Sequence, residues 1–259
     1  MLDRDMREPL FDFLDEHFGK IRTIEEKVIE GSRADVLGVL DGYIVGFEIK
    51  SDGDTYTRLK TQIKDYDRFC DFCYIVVGQS HRKHVAEHVP EHWGIIAVTD
   101  EGTFLDRGAD DNPKALLSEQ ILLMWKRELF QLLDMNGKPK YRAKSRKFLR
   151  EYLLEHIPPE ILKKQMTDIL FERDYTVFDT VTKETGVKSE TGLEAEPGIK
   201  DRKTSTGKTS TRKKKSSTVK SVKSSSTIKV RKAIKRMNSA SGDKKRAHTK
   251  NYIGKRKKK

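Results

Sequence analysis

Residues 33–50 read RADVLGVLDGYIVGFEIK. The stretch divides at Asp41-Gly42, a pair that strongly favours a two-residue hairpin turn. The runs on either side, residues 34–40 and 43–50, are rich in Val, Ile, Leu and Phe, which predicts two antiparallel strands. The turn also decides which residues of the two strands face each other, because turn type and loop length set the register of a hairpin.

That register brings charged side chains together on one face of the hairpin. Asp35 lies directly opposite Glu48, and Lys50 shares their face because side chains alternate along a strand. Directly opposed Cβ atoms are about 4.5–5.5 Å apart, so two carboxylates there repel each other unless a cation lies between them. Oxygen ligands alone suit a hard divalent cation, Mg²⁺ or Mn²⁺. The pattern therefore predicts a metal site beside a lysine.

A solvated strand edge is the alternative explanation of the same charges. The face that carries Asp35 also carries Leu37, Val39 and Ile44, and the opposite face is apolar as well. Apolar residues on both faces are typical of a central strand that is covered on both sides. Charges in such a strand are costly unless they are paired or bound to a metal. We therefore favour the metal site.

The stretch also resembles a known nuclease family. Asp35, twelve intervening residues and then Glu48-Ile49-Lys50 resemble the PD-(D/E)xK nuclease signature, with Ala34 where the family often has proline. This signature is short and occurs by chance in many sequences. The resemblance therefore needs support from residues outside the hairpin.

A second motif supplies that support. Gln62 and Tyr66 match the Gln-x-x-x-Tyr motif of the RecB-like branch. The run RADV…GFEIKSDGDT…RL…Q…Y is similar to a group of small bacterial and phage proteins of this superfamily. The similarity covers about residues 1–180 in layout, and its specific motifs lie within residues 30–66.

The resemblance implies a restriction-endonuclease-like α/β (α+β) fold, a mixed sheet flanked by helices, and metal-dependent cleavage of DNA. The implied metal is Mg²⁺ or Mn²⁺, held by Asp35, Glu48 and the backbone carbonyl of Ile49. The implied catalytic residues are Asp35, Glu48, Lys50, Gln62 and Tyr66. Without the resemblance, Gln62 and Tyr66 are ordinary polar residues on a helix face.

Two glutamates are candidates for a further metal-binding carboxylate. Glu8 lies on the predicted first helix, where some branches of the superfamily carry a metal-binding glutamate; the alternative is a solvated helix face. Glu30 follows the predicted first strand, just before a Gly-Ser turn, and the alternative is an exposed strand end.

Three segments are predicted along the chain. Residues 1–112 form the nuclease-like core, residues 113–181 a helical subdomain that packs on it, and residues 182–259 a linker and a disordered tail. The helices predicted for the subdomain are 114–135, 142–156 and 159–172. The second of these is basic, which suits either a DNA clamp or a lid on the core; its basic residues are Lys144, Arg146, Lys147 and Arg150.

The tail carries the basic charge of the protein. Residues 198–259 contain 24 Lys and Arg against two acids, whereas the rest of the chain is net −9. Such a segment cannot bury enough apolar surface to offset its ordering entropy, so we expect it to be disordered and to bind nucleic acid without sequence preference. A solubilising tail and a nuclear import signal are the alternatives. The candidate nucleic-acid-binding residues are Lys213, Lys214, Lys215, Arg231, Lys232, Lys235, Arg236, Lys244, Lys245, Arg246, Lys255, Arg256 and Lys257.

Other features point to an intracellular protein. No apolar run is long enough to span a membrane and no signal peptide opens the chain, so we expect a cytoplasmic or nucleoid-associated protein that is not secreted. Cys70 and Cys73 form a C-x-x-C without a second pair, which favours reduced thiols in the core over a zinc site. Four histidines between His81 and His92 suit a surface helix or a weak transition-metal site.

The sequence thus favours a metal-dependent nuclease that acts on DNA, with a tail that holds the substrate nearby. Two alternatives remain open. One is a non-catalytic DNA-binding or packaging protein that uses the tail on a nuclease-like scaffold. The other is an RNA nuclease, which would share the same site.

Overall fold

The computed structural model of the protein describes residues 1–29 and 31–174, without the side chain of Pro139. Within this part of the chain, six strands form one mixed sheet whose spatial order follows the chain order. The strands are β1 (Arg22–Ile29), β2 (Ser32–Leu40), β3 (Tyr43–Lys50), β4 (Phe72–Val77), β5 (Gly94–Thr99) and β6 (Gly102–Arg107). The first three are antiparallel neighbours, β3 to β5 run parallel, and β6 is antiparallel to β5.

Helices flank this sheet, and the predicted α+β class is confirmed. They are α1 (Asp3–Phe18), α2 (Leu59–Phe69), α3 (Leu117–Gln120), α4 (Lys126–Met135), α5 (Arg146–His156) and α6 (Pro159–Phe171). Helix α1 packs its apolar stripe against one face of the sheet, where the core includes Val45, Phe47 and Ile49 of β3. Helix α6 contacts β2 and β3. Every residue of β3 is buried as a result, as expected for a strand covered on both sides.

The β2–β3 hairpin has the predicted turn and register. Leu40 pairs with Tyr43, and the ladder continues to Val36 opposite Phe47. Gly42 has φ 78°, a left-handed conformation that glycine adopts without steric cost. The next positions along this register are Asp35 and Glu48, so the same register would place these two carboxylates opposite each other.

Helix α2 lies unusually close to β3 because Gly46 has no side chain. A Cβ atom on Gly46 would lie 2.5 Å from Cδ1 of Tyr66 and 2.7 Å from Sγ of Cys70. This close approach places the Tyr66 ring directly over the hairpin. Cys70 and Cys73 are both free cysteines, and they are buried as expected for core thiols.

The single long helix predicted for residues 114–135 is wrong. The chain forms α3, a 3₁₀ turn at Ile121–Leu123 and then α4, with Met124 and Trp125 in extended conformation between them. Glu128 accepts a hydrogen bond from the Trp125 N–H at 2.8 Å, and this cap starts α4. The leucine spacing continues through the break, so periodicity alone does not reveal it.

The later helices are close to their predicted positions, with α5 starting at Arg146 rather than at residue 142. Helices α4, α5 and α6 pack on one another. The predicted linker and tail, residues 182–259, lie outside the described residues. In the described part of the chain, no helix is long and apolar enough to cross a membrane.

Candidate functional site

The site begins where the β2–β3 ladder ends. The Ile49 N–H donates a 2.7 Å hydrogen bond to Oδ2 of Asp35, so a carboxylate takes the place of a backbone acceptor at this position. In a strand the N–H and the C=O of one residue point to the same side. The carbonyl of Ile49 therefore also faces the side on which Asp35 lies.

Glu48, Lys50 and Gln62 form a buried network beside Asp35. Lys50 Nζ donates to Oε1 of Glu48 at 2.7 Å and to Oε1 of Gln62 at 3.2 Å. Gln62 Nε2 donates to the same oxygen of Glu48. Glu48 is completely buried, Lys50 is 5% exposed and Gln62 is half-buried, so the ion pair of Glu48 and Lys50 is largely shielded from solvent.

One oxygen of Glu48 is left out of that network. Oε2 is buried and accepts no hydrogen bond of normal geometry from the described residues, although the Tyr66 hydroxyl lies close enough to Glu48 to lower its pKa. A buried carboxylate oxygen without a partner is costly and rare in folded proteins. The arrangement suits an additional positively charged ligand at this oxygen.

The electrostatics of the two carboxylates lead to the same conclusion. Burial, and then the negative charge of Glu48, raise the pKa of Asp35 to about 7. Burial also raises the pKa of Glu48, although Lys50 opposes this shift. The lysine therefore does not fully compensate two carboxylates in a low-dielectric position, and a divalent cation would.

The donor set fits an open Mg²⁺ or Mn²⁺ site rather than a closed metal cage. The described residues contain no group of three or more His, Cys, Asp or Glu that could hold a metal ion. Asp35, Glu48 and the carbonyl of Ile49 supply three oxygen ligands. Mg²⁺ is usually held by one or two carboxylates together with waters and substrate phosphates. The residues present match that pattern.

Tyr66 links the ends of the two strands. Its hydroxyl accepts a 3.1 Å hydrogen bond from the N–H of Asp35 and donates at 3.2 Å to the carbonyl of Phe47. Burial raises its pKa well above the ordinary value, so the hydroxyl stays neutral. Gln62 orients Lys50 and Glu48, whereas Tyr66 holds the backbone from which the carboxylates project.

The two further glutamates do not join this cluster. Glu8 is exposed on α1, and Glu30 lies outside the described residues. The acid of α1 whose charge acts on Asp35 is Asp3, which contributes to the raised pKa of Asp35. Arg7, one turn after Asp3, forms an ion pair with it and also donates to the carbonyl of Asp35 at 3.5 Å. The i, i+4 spacing of Asp3 and Arg7 was the available sequence signal.

Arg58 is a second cation that the sequence did not single out for a role. It is exposed just before α2, and its positive charge lowers the pKa of Glu48. Its carbonyl accepts the N–H of Gln62, so the two residues lie one helical turn apart on one face of α2. The sequence feature that could have identified Arg58 is its position four residues before Gln62.

The histidines between β4 and β5 contact aromatic and acidic side chains, and Nε2 of His81 is buried without a hydrogen-bond partner among the described residues. The rings of His81 and His88 pack against Tyr56, with centroids 4.9 and 4.2 Å from it. His92 Nε2 lies 2.8 Å from Oδ1 of Asp67. The segment contains a short 3₁₀ turn at Val85–Glu87 instead of the surface helix considered above.

Comparisons with known proteins give one family. A family model described as "Bacteriophage P4 protein cII" matches residues 5–190. No curated protein matches the chain significantly. A solved structure titled "Crystal Structure of Protein of Unknown Function AF1548" is 15% identical and covers 64% of this chain and 97% of that chain, with a TM-score of 0.26. This structural likeness is too low to be informative about the site.

Proposed function

The chain belongs to the bacteriophage P4 protein cII family, and we propose that it is a metal-dependent nuclease that hydrolyses phosphodiester bonds of DNA. The observation that supports this most is the carboxylate of Glu48. It is completely buried, one of its oxygens is held by Lys50 and Gln62, and the other has no partner within the described part of the chain. A second carboxylate, Asp35, lies one residue beyond the Val36–Phe47 pair, close enough for the charge of Glu48 to raise its pKa.

The proposed metal is Mg²⁺ or Mn²⁺, held by Asp35, Glu48 and the carbonyl of Ile49. When bound, such an ion lowers the pKa of a coordinated water and stabilises charge on a phosphoryl oxygen. The resemblance to PD-(D/E)xK nucleases supports the same assignment, because Asp35, Glu48 and Lys50 occupy the positions of that signature.

Lys50 is proposed to act directly on the substrate. An ammonium group has three N–H donors, and two of them are directed at Glu48 and Gln62. The third donor remains for the attacking water or for a phosphate oxygen. Gln62 keeps the ammonium in place, and Tyr66 keeps the two strand ends together.

Substrate binding is proposed to involve two groups of cations. Arg58 is exposed beside the Glu48 network, where an arginine can pair with a phosphate of the DNA backbone. The tail, which lies outside the described residues, supplies non-specific affinity through its 24 Lys and Arg. By keeping DNA near the site, it raises the effective concentration of substrate without reading its sequence.

The alternative of a non-catalytic DNA-binding or packaging protein relies on the tail alone. It predicts DNA binding that disappears with the tail and no cleavage with any metal. An RNA nuclease shares the proposed chemistry, so RNA belongs among the substrates tested.

The test is cleavage of linear, circular and single-stranded DNA, and of RNA, by the full chain with Mg²⁺, Mn²⁺ or EDTA. Glu48→Gln removes the charge at nearly constant shape, and Asp67→Asn is the matched control. Asp67 is also a buried carboxylate, but it is held by Trp93 and Lys114 instead. We expect metal-dependent cleavage that falls at least about 10²–10³-fold in Glu48→Gln and persists in Asp67→Asn. Equal activity of Glu48→Gln and the wild type would overturn the proposal.

A further inference from the structure

Four aromatic rings lie together on α5 and the turn that precedes it, with Tyr152 stacked against Phe148 and His156 and the Tyr141 ring tilted by 39° against Tyr152. This aromatic column consists of Tyr141, Phe148, Tyr152 and His156. The ring centroids of Tyr141 and Tyr152 are 4.3 Å apart, and those of Tyr152 and His156 are 4.0 Å apart. Phe148 lies at the side of the column, 6.0 Å from Tyr152 and 5.8 Å from Tyr141. Residues 148, 152 and 156 share one helix face because they are four apart.

The column lies at the surface rather than in the core. His156 is exposed, and Tyr141, Phe148 and Tyr152 are half-buried. The core side of α5 consists instead of Leu149 and Leu153, which are fully buried. A lid on the core needs only these leucines, so the stacked rings have no packing role that explains their exposure.

The surface around the column is strongly basic. Residues 136–150 contain seven Lys or Arg and no Asp or Glu. Lys140 Nζ lies 4.9 Å from the ring centre of Tyr141, and Lys144 Nζ lies 5.5 Å from that of Phe148. Hydrogen bonding by Lys140 lowers the pKa of Tyr141, which is consistent with a positive surface.

Acids balance only part of this charge. Arg142 forms an ion pair with Asp134, and Lys147 lies 3.9 Å from Glu151. Within the described part of the chain, neither of the two lysines over the rings, Lys140 and Lys144, forms an ion pair with an acid. A partner that fits the column must therefore combine negative charge with flat apolar groups.

We propose that the aromatic column binds single-stranded nucleic acid. Unpaired bases would stack on Tyr141 and His156 at the two ends of the column, because these two rings already cover Tyr152, which holds them in line. Phosphates would pair with Lys140 and Lys144. Base-aromatic stacking combined with a positive surface is the general physical basis of single-strand binding. Duplex DNA hides the faces of its bases, so it does not use the rings. The binding does not depend on the nuclease chemistry proposed above and occurs without metal.

The test measures equilibrium binding of a fluorescent single-stranded oligonucleotide to the full chain in EDTA, which prevents cleavage. A second oligonucleotide of equal length and charge carries abasic sites in place of bases. The tail contributes to both affinities through phosphates, so the ratio of the two Kd values isolates stacking. Tyr152→Leu should weaken binding of the intact oligonucleotide about tenfold and that of the abasic one less than about twofold.

Two control variants separate stacking from folding. Tyr152→Phe keeps the ring and should bind like the wild type. Phe104→Leu removes a half-buried ring on β6 that also has an arginine over it, and it should leave both Kd values unchanged. Thermal unfolding of each variant shows whether it folds.

Lys140→Gln combined with Lys144→Gln should weaken intact and abasic oligonucleotides by the same factor and reduce the salt dependence of both. Deoxy- and ribo-oligonucleotides in parallel assign the column to DNA or RNA. Equal losses of intact and abasic binding in folded Tyr152→Leu would overturn the proposal. So would a loss of duplex binding in Tyr152→Leu as large as the single-strand loss, or a loss of binding to anionic vesicles as large as that for the oligonucleotide.

Discussion

Two buried glutamates of the described residues, Glu48 and Glu128, are each paired with a buried cation, and they differ in how many of their carboxylate oxygens accept hydrogen bonds. Glu128 has both oxygens bonded: Arg173 donates to Oε1 at 2.7 Å and to Oε2, and the Trp125 N–H also donates to Oε2. Glu48 has one bonded oxygen and one without a partner among the described residues. Both carboxylates are at most 3% exposed. A buried carboxylate with hydrogen bonds to both oxygens is explained by its structural role. A buried carboxylate with one unbonded oxygen is better explained as a ligand-binding group.

The largest change in stability is expected for the pair of Glu128 and Arg173. Glu128→Gln removes the charge of a carboxylate that accepts two hydrogen bonds from the buried Arg173 guanidinium, and we expect the free energy of unfolding to fall by about 3–5 kcal/mol. Glu48→Gln should cost less in EDTA, because burial already disfavours the charge that it removes and Asp35 remains as a negative charge near Lys50. Urea denaturation of both variants at pH 7.5 compares them. A larger loss of stability in Glu48→Gln than in Glu128→Gln would contradict a structural role for Glu128 and a ligand-binding role for Glu48.

A metal should distinguish the same two sites. Mn²⁺ at about 100 times its Kd should raise the free energy of unfolding of the wild type by about 2.7 kcal/mol, because it binds the folded state. Glu128→Gln should retain this increase and Glu48→Gln should lose most of it. The measurement is thermal unfolding with and without Mn²⁺, and an equal shift in all three proteins would place the ion elsewhere.

The raised pKa of Asp35 should make the stability of the protein depend on pH. Its pKa is raised to about 7 in the folded state, against 3.8 for an ordinary aspartate. The folded protein therefore binds this proton more tightly, and ionisation destabilises the fold increasingly between pH 4 and pH 7.

Asp35→Asn removes that ionisation and keeps an acceptor for the Ile49 N–H. In EDTA, the stability of this variant relative to the wild type should rise by about 2 kcal/mol from pH 4 to pH 8, after allowance for the partial exposure of Asp35. Urea denaturation across this pH range measures it, with the exposed Glu101→Gln as control. A pH-independent difference would contradict the raised pKa.

The smallest expected effect concerns Tyr66. Tyr66→Phe leaves the N–H of Asp35 and the carbonyl of Phe47 without their shared partner, so we expect a loss of about 1–2 kcal/mol in stability. Tyr56→Phe is the matched control, since the buried Tyr56 hydroxyl has no partner in the described ranges and its removal should cost little. In cleavage assays, Tyr66→Phe should lower kcat and leave KM nearly unchanged, because Tyr66 positions the carboxylates without contacting substrate.

The hairpin and the face that carries its charges were predictable because local rules determine them. Asp41-Gly42 sets the turn, the turn sets the register, and the register places Asp35 beside Glu48. The four-residue spacing of Gln62 and Tyr66 likewise placed both on one helix face. What the sequence did not show is that Tyr66 bonds the backbone whereas Gln62 bonds the charges, since this depends on the close approach at Gly46.

The break between α3 and α4 depends on partners that are distant in the chain. Arg173 pairs with Glu128 from 45 residues away, and Gln120 donates to the carbonyl of Phe69, 51 residues away. Local leucine spacing contains no information about these contacts. The aromatic column is a different case, because the four-residue spacing of Phe148, Tyr152 and His156 is visible in the sequence, but spacing alone does not distinguish a surface face from a core face.

The matching of spatial and chain order in the sheet has a consequence for synthesis on the ribosome. Each strand pairs with the one made just before it, so the sheet can grow from one end as the chain emerges. The residues of the Glu48 network and the strands that hold them lie within the first 77 residues. We therefore expect this centre to take shape while the helices that follow β6 are still being translated.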